Sequence, residues 1–349
     1  MSVQTPAVLD RVRVLTVPAL RAAVERLEPS IAKVAAYHLG WMGVDGRPLA
    51  GNGGKAIRPA LAVLSAEAVG AGAEVALPGA VAVELVHNFS LLHDDLMDGD
   101  EERRHRSTSW KVFGPAMAIL AGDALLALAE DVLLKAPVPT GPRAARHLTE
   151  ATDRLITGQA EDLSFEARLD VSIGECMTMV GNKTGALLAC SASIGSVLAG
   201  APAEAVEALS GFGYHLGLAF QAVDDLLGIW GQPEVTGKPA WSDLRQRKKS
   251  VPVTHALSSG GRVAERLAGL LGEIGPTQAR VAEGGPRLSD EDLALAAKLV
   301  QEAGGRDWTM AEAERQLGLA LRRLDSVAAP ERTRDELIDL ARFVTSREL

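Results

Sequence analysis

Apolar residues recur along this chain at helical spacing, in segments too long for strands. Leu77 to Leu92, Ala116 to Leu134, Ala144 to Phe165, Ile173 to Leu198 and Ala203 to Ile229 each carry a broad apolar face, and the spacing predicts a helix over each. Several are apolar nearly all round, as inner helices of a large bundle are. Glycine and proline punctuate the pattern. Gly51 to Gly54, Gly70 to Glu74, Ala136 to Pro142 and Gly231 to Pro239 predict loops, and Gly275 to Asp290 predicts a longer surface loop. Ser289 with Asp292, and Thr309 with Glu312, have the spacing of N-terminal capping boxes and predict two late helix starts. Asp292 stands where Glu or Gln is usual. No short-period repeat and no low-complexity segment divides the chain. The reading is one all-α domain.

Composition agrees. Of 349 residues, 47% are hydrophobic, 23% charged and only 4% aromatic, which suits a globular helical protein better than a sheet. The formal charge of -9 argues against a nonspecific nucleic-acid binder, which is usually basic. Cys176 and Cys190 form no CxxC pattern; two reduced, buried thiols in a cytoplasmic protein are expected. The first residues, MSVQTPAVLDRVRVL, lack the basic and apolar regions of a signal peptide. The most apolar segment, Pro115 to Ala129, is interrupted by Asp123, and no membrane span is expected from runs short of about 18 apolar residues.

The candidate chemistry begins at HDDLMDGDEERRHR, His93 to Arg106. Asp94 and Asp98 are four apart, so a helix puts both on one face, about 6 Å apart along its axis. Like charges at that spacing repel, and acids near a helix C-terminus meet the negative end of its dipole. Something cationic must compensate. Oxygen-only ligands suit Mg²⁺, which completes its shell with water and phosphate oxygens. A second pair, Asp224 and Asp225, ends the apolar run FQAVDDLLGIWG. Two helices, each presenting such a pair near one end, can face each other and hold metal ions around a diphosphate. A lone copy would read as an ordinary acidic helix surface.

Cations accompany both clusters: Arg103 and Arg104 after the first, Lys55 and Arg58 in GNGGKAIRP, Lys183 in GNKTGALL, Lys238 in VTGKP, and Arg245, Arg247, Lys248 and Lys249 in SDLRQRKKSVP. Arginine forks and lysine ammonium groups both bind phosphate oxygens. GGKAIRP does not fit the P-loop pattern, so a nucleotide site is not expected.

Together these motifs make the chain similar to the trans-isoprenyl diphosphate synthases, or polyprenyl synthetases, and most like a geranylgeranyl diphosphate synthase. The resemblance covers roughly residues 30 to 345, through GGKAIRP at 53–59, HNFSLLHDDLMDGDEERRHRST at 87–108, GQAEDLSFE at 158–166, GNKTG at 181–185 and FQAVDDLLGIWGQPEVTGKPAWSDLRQRKKSVP at 220–252. It implies a single-domain antiparallel helix bundle around a deep apolar cavity over residues 30–349, with residues 1–29 an extension or first helix. It implies a homodimer and Mg²⁺-dependent condensation of isopentenyl diphosphate with an allylic diphosphate (dimethylallyl, geranyl or farnesyl).

Carried over by motif, Asp94 and Asp98 would bind two Mg²⁺ ions with Asp95 in support, and Asp224 a third with Asp225 in its outer shell. Arg103, Lys183 and Lys238 would hold the allylic diphosphate. Lys55, Arg58, His87 and Arg104 would hold isopentenyl diphosphate. Gln159, Asp162, Thr184, Gln221 and Lys248 fall at motif positions that shape or support the site. Without the motif, His87 would read first as a hydrogen-bonded structural histidine. Two positions depart from the family: the second acidic motif reads DDLLG, so Gly228 replaces its last aspartate, and Gln232 stands where an acid is common.

Family members limit product length with bulky residues just upstream of the first acidic motif. Phe89 lies five residues before Asp94, and Ser90 four before. Small Ser90 followed by bulky Phe89 implies a C20 product, geranylgeranyl diphosphate, with C15 as a secondary one. Ordinary core packing is the other reading of Phe89. Two further functions stay open: a class I terpene cyclase, against which Lys55, Arg58 and Arg104 argue, and a non-catalytic isoprenoid-binding partner subunit, suggested by Gly228.

Overall fold

The computed structural model describes residues 5–49, 54–166, 168–231, 240–272 and 288–346. Its helices are α1 (Ala7–Val24), α2 (Pro29–His38), α3 (Ile57–Glu67), α4 (Leu77–Met97), α5 (Ser109–Phe113), α6 (Pro115–Leu134), α7 (Gly141–Phe165), α8 (Ile173–Val180), α9 (Ala186–Ser191), α10 (Ile194–Leu198), α11 (Ala203–Trp230), α12 (Ser242–Gln246), α13 (Val251–Ser258), α14 (Gly261–Gly272), α15 (Asp290–Glu302), α16 (Gly305–Asp325) and α17 (Glu331–Thr345). Among the described residues the only sheet is an antiparallel ribbon of β1 (Glu102–Arg103) and β2 (Arg106–Ser107). The fold is all-α, as expected.

Helix α4 lies at the centre, packed against α3 and α6. Every residue from Gly79 to Val86 is buried, as is Pro59 to Ala66 on α3. Apart from Glu84 and Ser65, these stretches are apolar on all sides because helices surround them. By length and composition α4, with the short turn before it, could cross a membrane, against the expectation from the sequence; but 67% of that window is buried within the bundle, as in a soluble core helix. Helix α11 packs along α9 and α16. Helix α10 approaches α3 backbone to backbone: a Cβ on Gly195 would sit 2.1 Å from the Ala62 carbonyl, and Gly195 N donates to Ser65 Oγ at 3.0 Å. The N-terminal α1 joins the same core through Leu9, Val12 and Leu20. Its Arg11 Nη2 donates to Glu67 at 3.0 Å and to Glu336 at 2.7 Å, tying α1 to α3 and α17. Cys176 and Cys190 are buried and unpaired.

Two sequence expectations are corrected. The predicted helix from Ile173 to Leu198 is broken twice. A π-helical turn spans Gly181–Gly185, where the phenol of Tyr214 packs so closely that a Cβ on Gly181 would lie 2.3 Å from its oxygen. A second break, at Ala192 and Ser193, follows serines whose hydroxyls donate to carbonyls four residues back: Ser191 to Leu187 at 2.7 Å and Ser193 to Ala189 at 2.8 Å. Such back-bonding bends helices. Thr309 is not an N-cap. Its hydroxyl donates to the Gly305 carbonyl at 2.7 Å inside α16, and Glu312 pairs with Arg315 instead. That helix starts after Gly304, whose φ of 80° suits glycine. The Ser289–Asp292 capping box is present at the start of α15. A further box, Ser172 with Glu175 before α8, went unread. The loops predicted at Gly51 to Gly54, Gly231 to Pro239 and Gly275 to Asp290 lie largely outside the described residues.

Candidate active site

Helix α4 ends as its sequence predicts, with Asp98 as C-cap and Asp98 N donating to the Asp94 carbonyl at 2.8 Å. Asp94 and Asp98 therefore share one turn of one face. Burial raises the Asp94 carboxyl, with Asp98 adding to it and Lys183, Lys248 and Arg103 working against it. Lys248 supplies part of the compensation directly: its Nζ donates to Asp98 Oδ2 at 2.8 Å. Asp95 points the other way and is only 1% exposed. Arg103 Nε donates to its Oδ1 at 2.6 Å, while burial still pushes the carboxyl up to about 6. Its Oδ2 is buried without a partner.

The ribbon places the two arginines. The chain turns at Arg104 and His105, both at left-handed φ (53° and 58°), and this brings Arg103 back onto Asp95. Arg106 anchors the ribbon by donating to the carbonyls of Tyr37 at 3.1 Å and Met42 at 2.9 Å. Beneath it lies a cavity of about 310 Å³ lined by His38, Gly54, Asp95, Arg103, Arg104 and Ser109, among others. Gly54 takes a φ of 115° that suits glycine, and the Arg104 guanidinium packs against it, 3.0 Å from where a Cβ would lie. Arg58 is pulled down to about 10 by burial, against the nearby Glu84 carboxylate and with help from Arg104. His87 is held neutral by burial and by Arg58, Arg104 and Arg103. Arg58, His87 and Arg104 thus form one electrostatic group around Glu84. Lys55 Nζ lies 5.5 Å above the ring of Phe343.

Across from α4 the π-turn carries Lys183, whose Nζ donates to Asp162 on α7 at 2.7 Å. Burial opposes its charge, but Asp162, Asp94 and Asp98 together raise it. Thr184 Oγ1 donates to Gln221 at 2.8 Å, Gln221 donates to Asp225 at 2.7 Å, and Asp225 accepts Val251 N at 2.8 Å. This chain fixes the end of α11. Burial, with Asp243 and Asp224, pushes Asp225 up to about 8. Gln159 is 7% exposed, and neither of its amide atoms has a partner. The end of α12 and the residues after it join the two acidic ends: Gln246 donates to Asp100 at 2.6 Å, Lys248 reaches Asp98, and Val251 N reaches Asp225.

Asp94, Asp98, Arg103, Lys183 and Lys248 are therefore within one electrostatic neighbourhood, and Thr184, Gln221 and Asp225 form a second linked group. Lys238 lies outside the described residues. Phe89 and Ser90 lie behind the carboxylates on α4. Phe89 is 6% exposed, and its ring meets His93 edge-on at 4.9 Å. Ser90 Oγ donates to the His87 carbonyl at 2.9 Å. Three residues at the site went unread in the sequence: His38, Glu84 and Asp243. Glu84 could have been found as a lone acid inside VAVELV.

The donor set fits Mg²⁺. The donors are carboxylates, and one buried carboxylate oxygen of Asp95 has no partner. No three His, Cys, Asp or Glu side chains among the described residues converge as a ready cage. Mg²⁺ sites of this kind use one or two carboxylates and leave the remaining positions to water and phosphate.

Comparison with known proteins agrees with the motifs. The polyprenyl synthetase family model matches residues 46–283. The (2E,6E)-farnesyl diphosphate synthase of Mycobacterium tuberculosis is 50% identical over 100% of this chain and 95% of its own length. The geranylgeranyl diphosphate synthase of the same organism is 41% identical over 98% of this chain and 94% of its own. The crystal structure of a polyprenyl synthetase from Streptomyces coelicolor A3(2) superposes with a TM-score of 0.90 at 58% identity, covering 98% of this chain and 99% of that one. The chain belongs to the polyprenyl synthetase family of prenyltransferases.

Proposed function

We propose that this prenyltransferase condenses isopentenyl diphosphate with an allylic diphosphate and stops at a short chain, C20. The observation that carries the reading is the set of cations around Asp94 and Asp98: Lys183, Lys248 and Arg103 all act on Asp94, and Lys248 pairs with Asp98. Asp94, Asp98 and Asp224 would hold Mg²⁺, as three ions once diphosphate is bound, with Asp95 and Asp225 in support. Bound there, Mg²⁺ would neutralise charge on the leaving diphosphate as a Lewis acid. Arg103, Lys183 and Lys238 would bind the allylic diphosphate. As its C–O bond breaks, the electron pair stays on the diphosphate, and these positive groups stabilise it most when that charge is fullest. Lys55, Arg58, His87 and Arg104 would hold isopentenyl diphosphate beside the carbocation. Thr184, Gln221 and Lys248 would hold the two acidic ends in register.

The C20 reading rests on small Ser90 and bulky Phe89. A second reading, C15, is favoured by the greater identity to a farnesyl than to a geranylgeranyl diphosphate synthase, 50% against 41%. A terpene cyclase would not need the Arg58–His87–Arg104 group. We also infer a homodimer, through an apolar face of α6 that carries Asp123 as its single charge. The deciding assay incubates the protein with Mg²⁺, labelled isopentenyl diphosphate and each allylic primer, and reads chain length. A C20 product supports the Ser90–Phe89 reading. C15 keeps the reaction and rejects that reading of the wall. No product from folded protein favours a partner subunit, with Gly228 as the first suspect.

A further inference from the structure

Gly228, where the second acidic motif departs from the family, has no room for a side chain. A Cβ there would lie 2.3 Å from Asp243 Oδ2 and 2.4 Å from Asp243 Cγ. Real Cβ contacts are not that short, so the Asp243 carboxylate occupies the volume a side chain at 228 would fill. Position 228 follows Asp224 by four residues on α11 and shares its face. Asp243 is brought there by α12, which docks on the end of α11: Ser242 Oγ donates to the Gly228 carbonyl at 3.3 Å. Lys248 N donates to the Asp243 carbonyl at 2.9 Å, tying α12 to the lysine that pairs with Asp98. Asp243 is 9% exposed, and its charge acts on both acidic ends: it adds to burial in raising the Asp225 carboxyl and, after Asp98 and Asp162, supports the charge of Lys248 against burial.

We propose that Asp243 supplies from α12 the carboxylate that position 228 lacks on α11, and that it serves as a positioning residue for the ion held by Asp224. Gly228 is then a requirement of the site, because any side chain there displaces Asp243. The acid absent from the motif is present in space. The proposal rests on the metal role of Asp224 given above.

The test is equilibrium dialysis of the full chain against Mn²⁺ and inorganic diphosphate, reading manganese retained per chain. Asp243→Asn, which keeps the side chain's shape, is expected to weaken retention of one ion by about 10- to 100-fold, as loss of a supporting carboxylate does. Gly228→Ala is expected to do the same without touching an acid. Gly228→Asp combined with Asp243→Ala, which moves the carboxylate back to α11, is expected to restore wild-type retention. Wild-type retention in Asp243→Asn or in Gly228→Ala overturns the proposal. So does failure of the double variant to recover while its circular dichroism and melting match the wild type. Asp224→Asn separates the two levels: if it leaves retention unchanged, the metal role of Asp224 is overturned, and with it the basis of the proposal.

Discussion

Single charges at this site are set by their neighbours more than by their own chemistry. Arg104 sits at a left-handed φ of 53° against Gly54, with burial lowering its pKa against the pull of Glu84. Arg104 is exposed and lines the cavity, so its guanidinium is well placed to bind an anion. Arg104→Ala is expected to raise KM for isopentenyl diphosphate about 10- to 100-fold, the worth of a charged hydrogen bond, while KM for the allylic primer stays within a few-fold. Equal changes in both would reject the division of roles. His38 gives a stability test. Burial, with Arg103, Arg104 and Arg106, holds its imidazole down at about 3, against about 6.5 in an unfolded chain. Between those values the unfolded chain binds a proton that the folded chain does not, so stability falls as pH drops from about 6.5 towards 3. His38→Gln removes that contribution, and urea unfolding at pH 6.5 and pH 4 should show a smaller difference than in the wild type. Phe89 tests product length. Phe89→Ala leaves a cavity costing about 3–5 kcal/mol and is expected to lengthen the product; an unchanged product would make Phe89 an ordinary core residue.

At the scale of elements, the long helices were legible because their apolar faces repeat over many turns, as in Leu77–Met97 and Ala203–Trp230. The π-helical break was not, because it arises from contacts distant in sequence. The π-turn at Gly181–Gly185 sits between Tyr214 on α11 and Gly158 on α7, and Thr309 matched a cap by spacing alone. The two-residue ribbon was hidden because Arg104 and His105 take a turn conformation usually left to glycine or asparagine. The carboxylates were readable as a local pattern. The place of Asp243 over Gly228, fifteen residues away, was not, since only the docking of α12 on α11 creates it. The π-turn itself yields a prediction. A Cβ on Gly158 would lie 2.3 Å from Lys183 N and 2.7 Å from its Cα, so backbone must move. Gly158→Ala is expected to cost about 1–3 kcal/mol in denaturant unfolding, as overpacking does. It should also lower kcat, because the turn that carries Lys183 shifts away from Asp162. Wild-type stability and kcat would show that α7 and the turn have slack.

For the whole molecule, the question is why α6 is apolar on the side that faces away from the core. Ala116, Ile119, Leu120 and Ala127 are all exposed, at the spacing of one helix face, with Asp123 the single charge among them. Ile156 on α7 is exposed at 49%, and Leu120 at 50%. Contiguous apolar surface of this kind marks an interface more often than a free exterior. Charge points the same way. Each chain carries -9, so two chains repel overall and associate most easily through a face with few charges. The inner side of α6 meets α4: a Cβ on Gly122 would lie 2.2 Å from His93 Nε2, and the ring of Phe89 packs edge-on against His93. A second copy covering α6 would therefore stiffen the wall behind Asp94. Leu120→Asp places a charge in the middle of that face. It is expected to halve the mass seen by sedimentation, from twice the chain mass to one, and to lower the melting temperature while helical content is kept. If the variant still sediments at twice the chain mass, the interface lies elsewhere. If the wild type is itself a monomer, the apolar face of α6 needs another explanation.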